Sequence, residues 1–226
     1  MSTQQNDLSI GMAGSGGDGI VSAGESLITA LAIEGYHAIM TKSFGSQIRG
    51  GESSFRLRVA VGPVLNIGGT LDIAVALNWD DFLRFGGELP VDNKTTVVYE
   101  ANTGVAPDKV PLAVPPAEAI AVPIEQMAKE HAGTERAKNT VVLGLMAGWT
   151  GVAKESILAG IKKKFGKKGP ELVAANERAF AAGVAFAEQH PLKAPRVMDA
   201  PAEGVKGRFL TDGNDLCGAA AIFAGC

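Results

Sequence analysis

A glycine-rich stretch near the N-terminus has the spacing that brings a backbone close to an anionic ligand. Gly14, Gly16 and Gly19 fit the pattern G-x-G-x-x-G, and Gly17 adds a fourth glycine. The stretch follows a short apolar run and precedes a helical pattern, the context that gives this motif weight. Glycines permit a tight turn, and the free N–H groups at a helix start attract an anion. The sequence therefore predicts an anion-binding turn, with close strand–helix packing as the alternative reading.

A nicotinamide dinucleotide is one ligand that such a turn could hold. It requires an acidic residue about 20 residues beyond the motif, where the carboxylate binds the ribose hydroxyls. The next predicted strand ends near Lys42, which would suit a 2′-phosphate, and no acidic residue follows before Glu52. Asp18 also lies inside the turn, where its charge would repel a pyrophosphate. A NAD(P)-binding Rossmann dehydrogenase is therefore disfavoured, although it stays as an alternative function.

A second polar loop, residues 42–52, offers hydroxyls, an amide, a fixed cation and a flexible glycine pair. This set of groups can hold a phosphate or a carboxylate. The candidate residues are Ser43, Phe44, Gly45, Arg49, Gly50 and Gly51. An equally supported alternative is a structural loop, in which Arg49 caps a helix or pairs with an acid such as Asp72.

Metal and nucleophile chemistry find little support in the sequence. His37, His131 and His190 are isolated from other ligand types, so no metal site is expected. No Ser/His/Asp or Cys/His arrangement is recognisable, so no catalytic residue is assigned. Cys217 and Cys226 are the only cysteines, which excludes a four-cysteine zinc or iron–sulfur site within the chain.

The composition of the chain argues against nucleic acid and membranes as its partners. The net charge of −3 gives no basic footprint for nucleic acid. The longest uncharged run, residues 139–153, falls short of a membrane span, and the N-terminus lacks a signal-peptide pattern. With 46% hydrophobic and 20% charged residues, the chain can build a sizeable core. These features favour a cytoplasmic protein without nucleic-acid or membrane partners.

Alternating strand and helix patterns must position the two loops. Strands are predicted at 8–13, 37–41, 53–61, 73–77, 95–100 and 119–122, and helices at 20–34, 80–85, 125–131, 135–149, 154–165 and 171–188. The expected fold class is α/β, an open, mainly parallel Rossmann-like sheet flanked by helices, with a helical C-terminal half. The two loops would then follow the carboxyl ends of adjacent parallel strands.

Proline and charge patterns divide the chain into three parts. Residues 1–189 are predicted to form one compact domain, followed by a proline- and charge-rich linker at 190–208. Residues 209–226 begin with a helix-capping stretch at 211–215 and continue as an uncharged apolar run. They are interpreted as the start of a further domain or as a tail that docks onto a partner.

Four segments together resemble the gamma domain of the 2-oxoacid:ferredoxin oxidoreductases, the family of pyruvate and 2-oxoglutarate synthases. They are MAGSGGDGIVSAGESL, TKSFGSQIRGGESSFRLRV, AKNTVVLGLMAGWTG and AANERAFAAG, and the resemblance covers residues 8–188. The tail, with Asp212, Gly213 and Asn214, is similar to the opening of the alpha, thiamine-diphosphate-associated region. A gamma domain fused ahead of an alpha domain is usual among the 2-oxoglutarate-type enzymes, so the resemblance favours that substrate.

The resemblance implies oxidative decarboxylation of a 2-oxoacid to acyl-coenzyme A and carbon dioxide, with reduction of ferredoxin. It implies thiamine diphosphate, Mg²⁺ and [4Fe-4S] clusters in alpha and beta portions, a hetero-oligomer with them, and an inactive isolated chain. This domain would bind coenzyme A, with the glycine turn as one wall of the site and the second loop as the other. The residues carried over are Gly14, Gly16, Gly17, Gly19, Ser43, Phe44, Gly45, Arg49, Gly50 and Gly51. A ligand-free structural subunit is the other alternative.

Overall fold

The computed structural model describes residues 5–46, 51–201 and 209–225. The strands are Asp7–Gly14 (β1), His37–Phe44 (β2), Ser53–Ala60 (β3), Ile73–Ala76 (β4), Thr96–Glu100 (β5) and Glu118–Val122 (β6). The α-helices are Ile20–Ile33 (α1), Trp79–Arg84 (α2), Ile124–Ala132 (α3), Lys138–Thr150 (α4), Lys154–Phe165 (α5), Pro170–Gln189 (α6) and Gly213–Phe223 (α7). The predicted helical C-terminal half is confirmed.

The described strands form one open sheet in the order β2-β3-β1-β4-β5-β6. β4, β5 and β6 run parallel to β1, and β3 runs antiparallel to both β1 and β2. The predicted mainly parallel α/β sheet is therefore confirmed. The prediction that β1 and β2 are adjacent is wrong, because β3 lies between them. The connection 45–52 is too short for a crossover, so the chain returns antiparallel as a hairpin.

The hairpin also extends β2 beyond its predicted end. Residues 42–44 were expected to belong to a loop, but they pair with residues 53–55 of β3. The polar loop therefore begins at Gly45 and is the tip of a hairpin. Its two ends are consequently held in register by strand hydrogen bonds.

Two apolar layers cover the sheet. Leu8, Ile10 and Met12 of β1 belong to the larger layer, which includes α1, α4, α5 and α6. On the opposite face of β1, Gly11 and Ala13 point to the smaller layer around α2, and a Cβ on Gly11 would lie 2.5 Å from a methyl carbon of Leu71. Both faces of β1 are buried, as its continuous apolar run predicts.

Glycines allow α4 and α6 to cross in direct backbone contact. A Cβ on Gly183 would lie 2.2 Å from the carbonyl oxygen of Val141 and 2.9 Å from the backbone nitrogen of Leu145. A Cβ on Gly144 would lie 2.1 Å from the carbonyl oxygen of Phe180. Because the neighbouring atoms belong to backbone, they cannot move aside as a flexible side chain does.

Residues 190–201, which we call the strap, return along the domain after α6. Leu192 and Met198 are buried, and Met198 forms a parallel bridge with Gln5. Arg196 lies 3.0 Å from the carboxylate of Asp72 and donates to the carbonyl oxygen of Lys94. This part of the expected linker therefore packs against the sheet. The division into a domain at 1–189, a linker at 190–208 and a third segment at 209–226 remains a proposal.

Replacing Arg196 with methionine is expected to destabilise the domain by about 2 kcal/mol at pH 7, because it leaves a largely buried carboxylate without its cation. Burial raises the pKa of Asp72 above its ordinary value, against the hydrogen bond from Ser9 and the charge of Arg196. The folded state thus binds this proton more tightly than the unfolded state. The variant's loss of unfolding free energy should be complete above the pKa of Asp72, where the carboxylate is charged. It should shrink as the pH falls towards 4 and the carboxyl group becomes protonated.

Urea unfolding of both proteins between pH 4 and pH 8 measures this difference. Arg136→Met is the control, since Arg136 is exposed and makes no ion pair with the described residues. If the Arg196 variant lost the same unfolding free energy at every pH, the ion pair between Arg196 and the charged carboxylate of Asp72 would not explain the loss.

α7 is exposed, and the described part of the helix buries none of its residues. The side chain of Asp212 accepts a hydrogen bond from the N–H of Asp215 at 2.9 Å, which confirms the predicted capping stretch. Residues 210–213 and Asp215 line a groove of about 480 Å³ together with α1 and the edge strand β2.

Within the described ranges, every helix is too short or too polar to cross a bilayer.

Candidate ligand-binding site

The glycine turn lies where the direction of the sheet connections changes. The chain leaves β1 through α1 towards β2 and β3 on one side, whereas β4, β5 and β6 extend the sheet on the other. Open α/β sheets bind ligands outside the carboxyl ends of strands at such a point. The N–H of Asp18 donates to the carbonyl oxygen of Ser15 at 3.1 Å, and Gly17 and Gly19 have φ of 99° and 74°. The tight glycine turn is present, and its binding of an anion stays a prediction.

Asp18 folds back into its own turn. One of its carboxylate oxygens accepts the N–H of Ser15 at 3.1 Å, and the other lies 2.7 Å from Nζ of Lys138. The side chains of Asp18 and Lys138 are only 15% and 18% exposed, so little solvent separates the pair. The repulsion expected from Asp18 is therefore compensated by a cation.

Sequence reasoning missed Lys138, although one signal was available. Lys138 is the first residue of α4. A cation is unfavourable at a helix N-terminus, because the helix dipole is positive there. A lysine in that position indicates a nearby anion, and the structure places Asp18 beside it.

Gly19 packs against the first turn of α4. A Cβ at this position would lie 2.7 Å from Nδ2 of Asn139, and the positive φ already disfavours other residues. Asn139 is a polar residue on the otherwise apolar helix α4. The structure shows that it is half-buried and braces the glycine turn.

The short helix α2 connects the two predicted loops. The hydroxyl of Ser15 donates to Asp81 at 2.5 Å, and Arg84 lies 3.2 Å from the carboxylate of Glu52 at the base of the hairpin. A hydrogen bond from its own backbone N–H and the neighbouring Arg84 place the pKa of Glu52 below its ordinary value. The first acidic residue after β2 is thus held by a cation of the domain.

The glycine turn and the hairpin lie at the same edge of the sheet. Gly14 pairs with Ser53, and Ser53 pairs with Phe44, so Gly14 and Phe44 are two strands apart, about 10 Å. The side chain of Phe44 is 67% exposed at this edge. The N–H of Gly45 donates to the carbonyl oxygen of Glu52 at 2.8 Å and closes the base of the hairpin.

Only some of the remaining predicted site residues fall within the described ranges. Gly51 lies in the hairpin beside Glu52, whereas Arg49 and Gly50 lie outside the described residues. Asp72, considered as a partner for Arg49, pairs with Arg196 on the strap. In the described ranges, histidine, cysteine, aspartate and glutamate side chains form no group of three that could hold a metal ion.

A buried carboxylate that sequence reasoning missed lies two strands away from the turn, at the same edge of the sheet. Glu100, at the end of β5, is 5% exposed. Its oxygens accept the N–H of Asn102 at 3.1 Å and the N–H of Glu125 at 2.8 Å. Glu100 therefore caps the start of α3, and both oxygens have structural partners.

Fold and turn together define an α/β domain with a glycine-rich loop at the change of sheet direction. The pyruvate ferredoxin/flavodoxin oxidoreductase family matches residues 9–186, and the chain belongs to this family. The predicted identity as a gamma domain of the 2-oxoacid:ferredoxin oxidoreductases is confirmed.

Curated relatives carry several names within this family. Ketoisovalerate oxidoreductase subunit VorA of Methanothermobacter marburgensis is 33% identical over 190 residues, which are 81% of this chain and 37% of VorA. 2-Oxoglutarate synthase subunit KorC of Archaeoglobus fulgidus is 25% identical over 162 residues, which are 71% of this chain and 80% of KorC. The chain thus spans little more than a third of the length of VorA.

Solved structures show the same relationship. A 2-oxoglutarate:ferredoxin oxidoreductase from Magnetococcus marinus, with 2-oxoglutarate, coenzyme A and succinyl-CoA bound, aligns at a TM-score of 0.85 and 30% identity. The alignment covers 98% of this chain and 38% of that one. The gamma subunit of a keto/oxoacid ferredoxin oxidoreductase from Geobacter sulfurreducens aligns at a TM-score of 0.64 and 25% identity, over 81% of this chain and 97% of that one.

Proposed function

We propose that the chain is the gamma-domain part of a 2-oxoglutarate:ferredoxin oxidoreductase and contributes the coenzyme A site of that enzyme. The assembled enzyme would convert a 2-oxoacid and coenzyme A to acyl-coenzyme A and carbon dioxide while reducing ferredoxin. The observation that carries the proposal is the glycine turn and hairpin at one edge of the sheet. This domain aligns at a TM-score of 0.85 with an enzyme that has coenzyme A bound.

The residues of the turn and hairpin suit a phosphorylated carrier. Gly17 and Gly19 give the backbone its close approach, and α1 begins directly after them. Lys138 cancels the charge of Asp18, so the turn does not repel an anion. The second wall would be Ser43, Phe44, Gly45, Arg49, Gly50 and Gly51, with Arg49 as the charged donor.

The iron–sulfur clusters of the proposed enzyme do not fit this chain. Two cysteines, both among the last ten residues, cannot supply the four thiolates that a [4Fe-4S] cluster takes. The clusters are therefore assigned to alpha and beta portions of a hetero-oligomer, and the family resemblance assigns thiamine diphosphate and its Mg²⁺ to the same portions. No step of the reaction is assigned to side chains of this domain.

2-Oxoglutarate is the proposed substrate for two reasons. The solved structure aligned over 98% of this chain is a 2-oxoglutarate:ferredoxin oxidoreductase. KorA of Mycobacterium tuberculosis, named as a 2-oxoglutarate oxidoreductase subunit, is 28% identical over 201 residues. The VorA relatives make 2-oxoisovalerate the competing substrate.

Replacing Arg49 with alanine in the assembled enzyme tests the proposal. The KM for coenzyme A should rise at least tenfold, since a hydrogen bond to a charged group contributes about 1.5–3 kcal/mol. Ferredoxin reduction is followed with 2-oxoglutarate, pyruvate and 2-oxoisovalerate, and 2-oxoglutarate should give the highest kcat/KM. Lys193→Ala is the control, since Lys193 is exposed on the strap.

Two outcomes would point to another function. An unchanged KM for coenzyme A in the Arg49 variant would favour a ligand-free structural subunit. Tight binding of NADH by the chain would favour a dehydrogenase instead.

A further inference from the structure

An open groove lies between α1 and α5 and has a volume of about 550 Å³. At one end, Nζ of Lys164 near the end of α5 donates to the hydroxyl of Ser22 near the start of α1. At the other end, the N–H of Ala153 donates to the carboxylate of Glu34 at 3.0 Å, so the two helices run antiparallel. Ser22 is three residues after Gly19 and lines the groove. This α1–α5 groove therefore begins beside the glycine turn.

The end of the groove beside the turn carries a positive charge. Lys163 and Lys164 line it, and both side chains are exposed. Within the described ranges neither lysine forms an ion pair, and Lys164 lies 5.7 Å from the ring centre of Phe165. Glu25 also lines the groove, but its carboxylate lies 2.6 Å from Nζ of Lys42. The charge of Glu25 is thus compensated, and the charges of the two α5 lysines are not.

Neighbouring lysines do have carboxylate partners. Lys42, Lys138 and Lys162 each lie within 3.4 Å of a carboxylate oxygen. Coenzyme A carries a diphosphate and, separately, a phosphate on the 3′-oxygen of its ribose. The proposed turn and hairpin site offers one cation, Arg49, so a second phosphate position needs another. Lys163 and Lys164 are cations of this region whose charge is still available to a ligand.

Beyond the lysines, the groove is uncharged and has small side chains. Ser26 follows Ser22 by one helical turn, and Gly160 precedes Lys164 by one turn, so this part lies about 5.4 Å further along. The hydroxyl of Ser26 donates to the carbonyl oxygen of Ser22 at 2.8 Å, within its own helix. Gly160 is exposed with open space where a Cβ would be added, and the buried Ile157 also lines the groove. An open, uncharged trough with an apolar floor suits a flat heteroaromatic ring.

We propose that the α1–α5 groove binds the 3′-phosphoadenosine end of coenzyme A. Lys164 and Lys163 bind the 3′-phosphate, and the adenine lies along the trough at Gly160. This inference rests on the proposed function, and it adds a subsite that distinguishes coenzyme A from carriers without a 3′-phosphate. The diphosphate stays at the glycine turn and the hairpin.

Replacing Lys164 with glutamine in the assembled enzyme tests the phosphate subsite, because glutamine keeps a polar side chain and removes the charge. Titration calorimetry without a 2-oxoacid gives the Kd of coenzyme A and of dephospho-coenzyme A, which lacks only the 3′-phosphate. The unaltered enzyme should bind coenzyme A about tenfold more tightly than dephospho-coenzyme A. The variant should bind coenzyme A about five- to tenfold more weakly and dephospho-coenzyme A as before.

Lys168→Gln is the matched control for the charge change. Lys168 is exposed and lies 5.9 Å from the ring centre of the same Phe165, but it does not line the groove. Its replacement should leave both dissociation constants unchanged. Equal weakening of both ligands by Lys164→Gln, or weakening of neither, would overturn the assignment of the 3′-phosphate.

Replacing Gly160 with leucine tests the adenine subsite, because the larger side chain fills the trough and leaves the lysines in place. Coenzyme A and dephospho-coenzyme A should both bind about tenfold more weakly or worse, since both carry the adenine. Unchanged binding would overturn the position of the adenine. If the variant cannot associate with the alpha and beta portions, the groove is a subunit contact and the assignment is wrong.

The Arg49 variant separates failure of this inference from failure of the proposed function. If Arg49→Ala raises the KM for coenzyme A and neither groove variant changes its binding, the subsite is wrong and the proposed function stands. If none of the three variants affects coenzyme A, the proposed function fails as well.

Discussion

Replacing Gly183 with alanine is expected to destabilise the domain by about 3 kcal/mol and to lower its melting temperature by about 10 °C. The added Cβ would lie 2.2 Å from the carbonyl oxygen of Val141 and 2.9 Å from the backbone nitrogen of Leu145. Both atoms belong to the backbone of α4, so α4 and α6 must move apart. Their separation would open voids among the buried side chains that the two helices share, including Phe180.

Gly160→Ala is the matched control for this variant. Gly160 lies within α5, is exposed, and has open space where a Cβ would be added. Alanine should stabilise the helix there by about 0.5–1 kcal/mol, because glycine is the poorer helix former. Thermal and urea unfolding followed by circular dichroism measure both changes. Similar stability of the two variants would contradict the backbone contact between α4 and α6.

Replacing Gly19 with alanine is expected to raise the KM for coenzyme A in the assembled enzyme about 10- to 100-fold, since small displacements of binding groups have effects of this size. Gly19 has φ of 74°, and the added Cβ would lie 2.7 Å from Nδ2 of Asn139. The turn would have to move away from α4, and its displacement would also disturb the contact between Asp18 and Lys138. The experiment measures the KM for coenzyme A and, separately, the melting temperature.

Two further variants separate the effect of the collision with Asn139 from the effect of backbone strain at Gly19. Gly133 has φ of 72° and open space where a Cβ would be added, so Gly133→Ala introduces the same strain without a collision. It should lower stability by about 1 kcal/mol and leave the KM for coenzyme A unchanged. Asn139→Ala in the Gly19→Ala background removes the colliding amide and should restore much of the affinity. Absence of any rescue would show that Asn139 does not set the position of the turn.

Most elements of this fold were predictable because their local patterns agree with their final environment. The apolar run of β1 is buried on both faces, and the stripe in α5 places Ile157 and Ile161 in the core. Gly166 ends α5 and Pro170 begins α6, as the helix punctuation in the sequence indicates. These features depend on residues a few positions apart, which a single sequence displays directly.

Pairings between distant segments were not predictable from the same patterns. The alternation of residues 53–60 indicates a strand and does not reveal that it inserts between β1 and β2. The contact of Arg196 with Asp72 joins residues far apart in the chain, and the proline-rich strap has the composition of a linker. Such contacts are set by the packing of whole elements, and local composition does not determine them.

The candidate site was predictable only in part. The glycine spacing identified the turn, and the charge of Asp18 was recognised as an obstacle to anion binding. Its neutralisation by Lys138 depends on how α4 packs beside α1, which no local pattern describes. The lysines at the end of α5 have the pattern of a solvated helix end, and only the packing of α5 against α1 brings Lys164 beside Ser22.

The position of β3 also bears on the order in which the chain folds. The β2–β3 hairpin closes a short loop, so it can form early at a small entropic cost. β1 pairs with β3 on one side and with β4 on the other, over longer sequence separations. We therefore expect the hairpin to nucleate assembly and to act as a template for the N-terminal strand. A slow refolding phase should then report the docking of β1, and the glycine turn would acquire its shape only in that step.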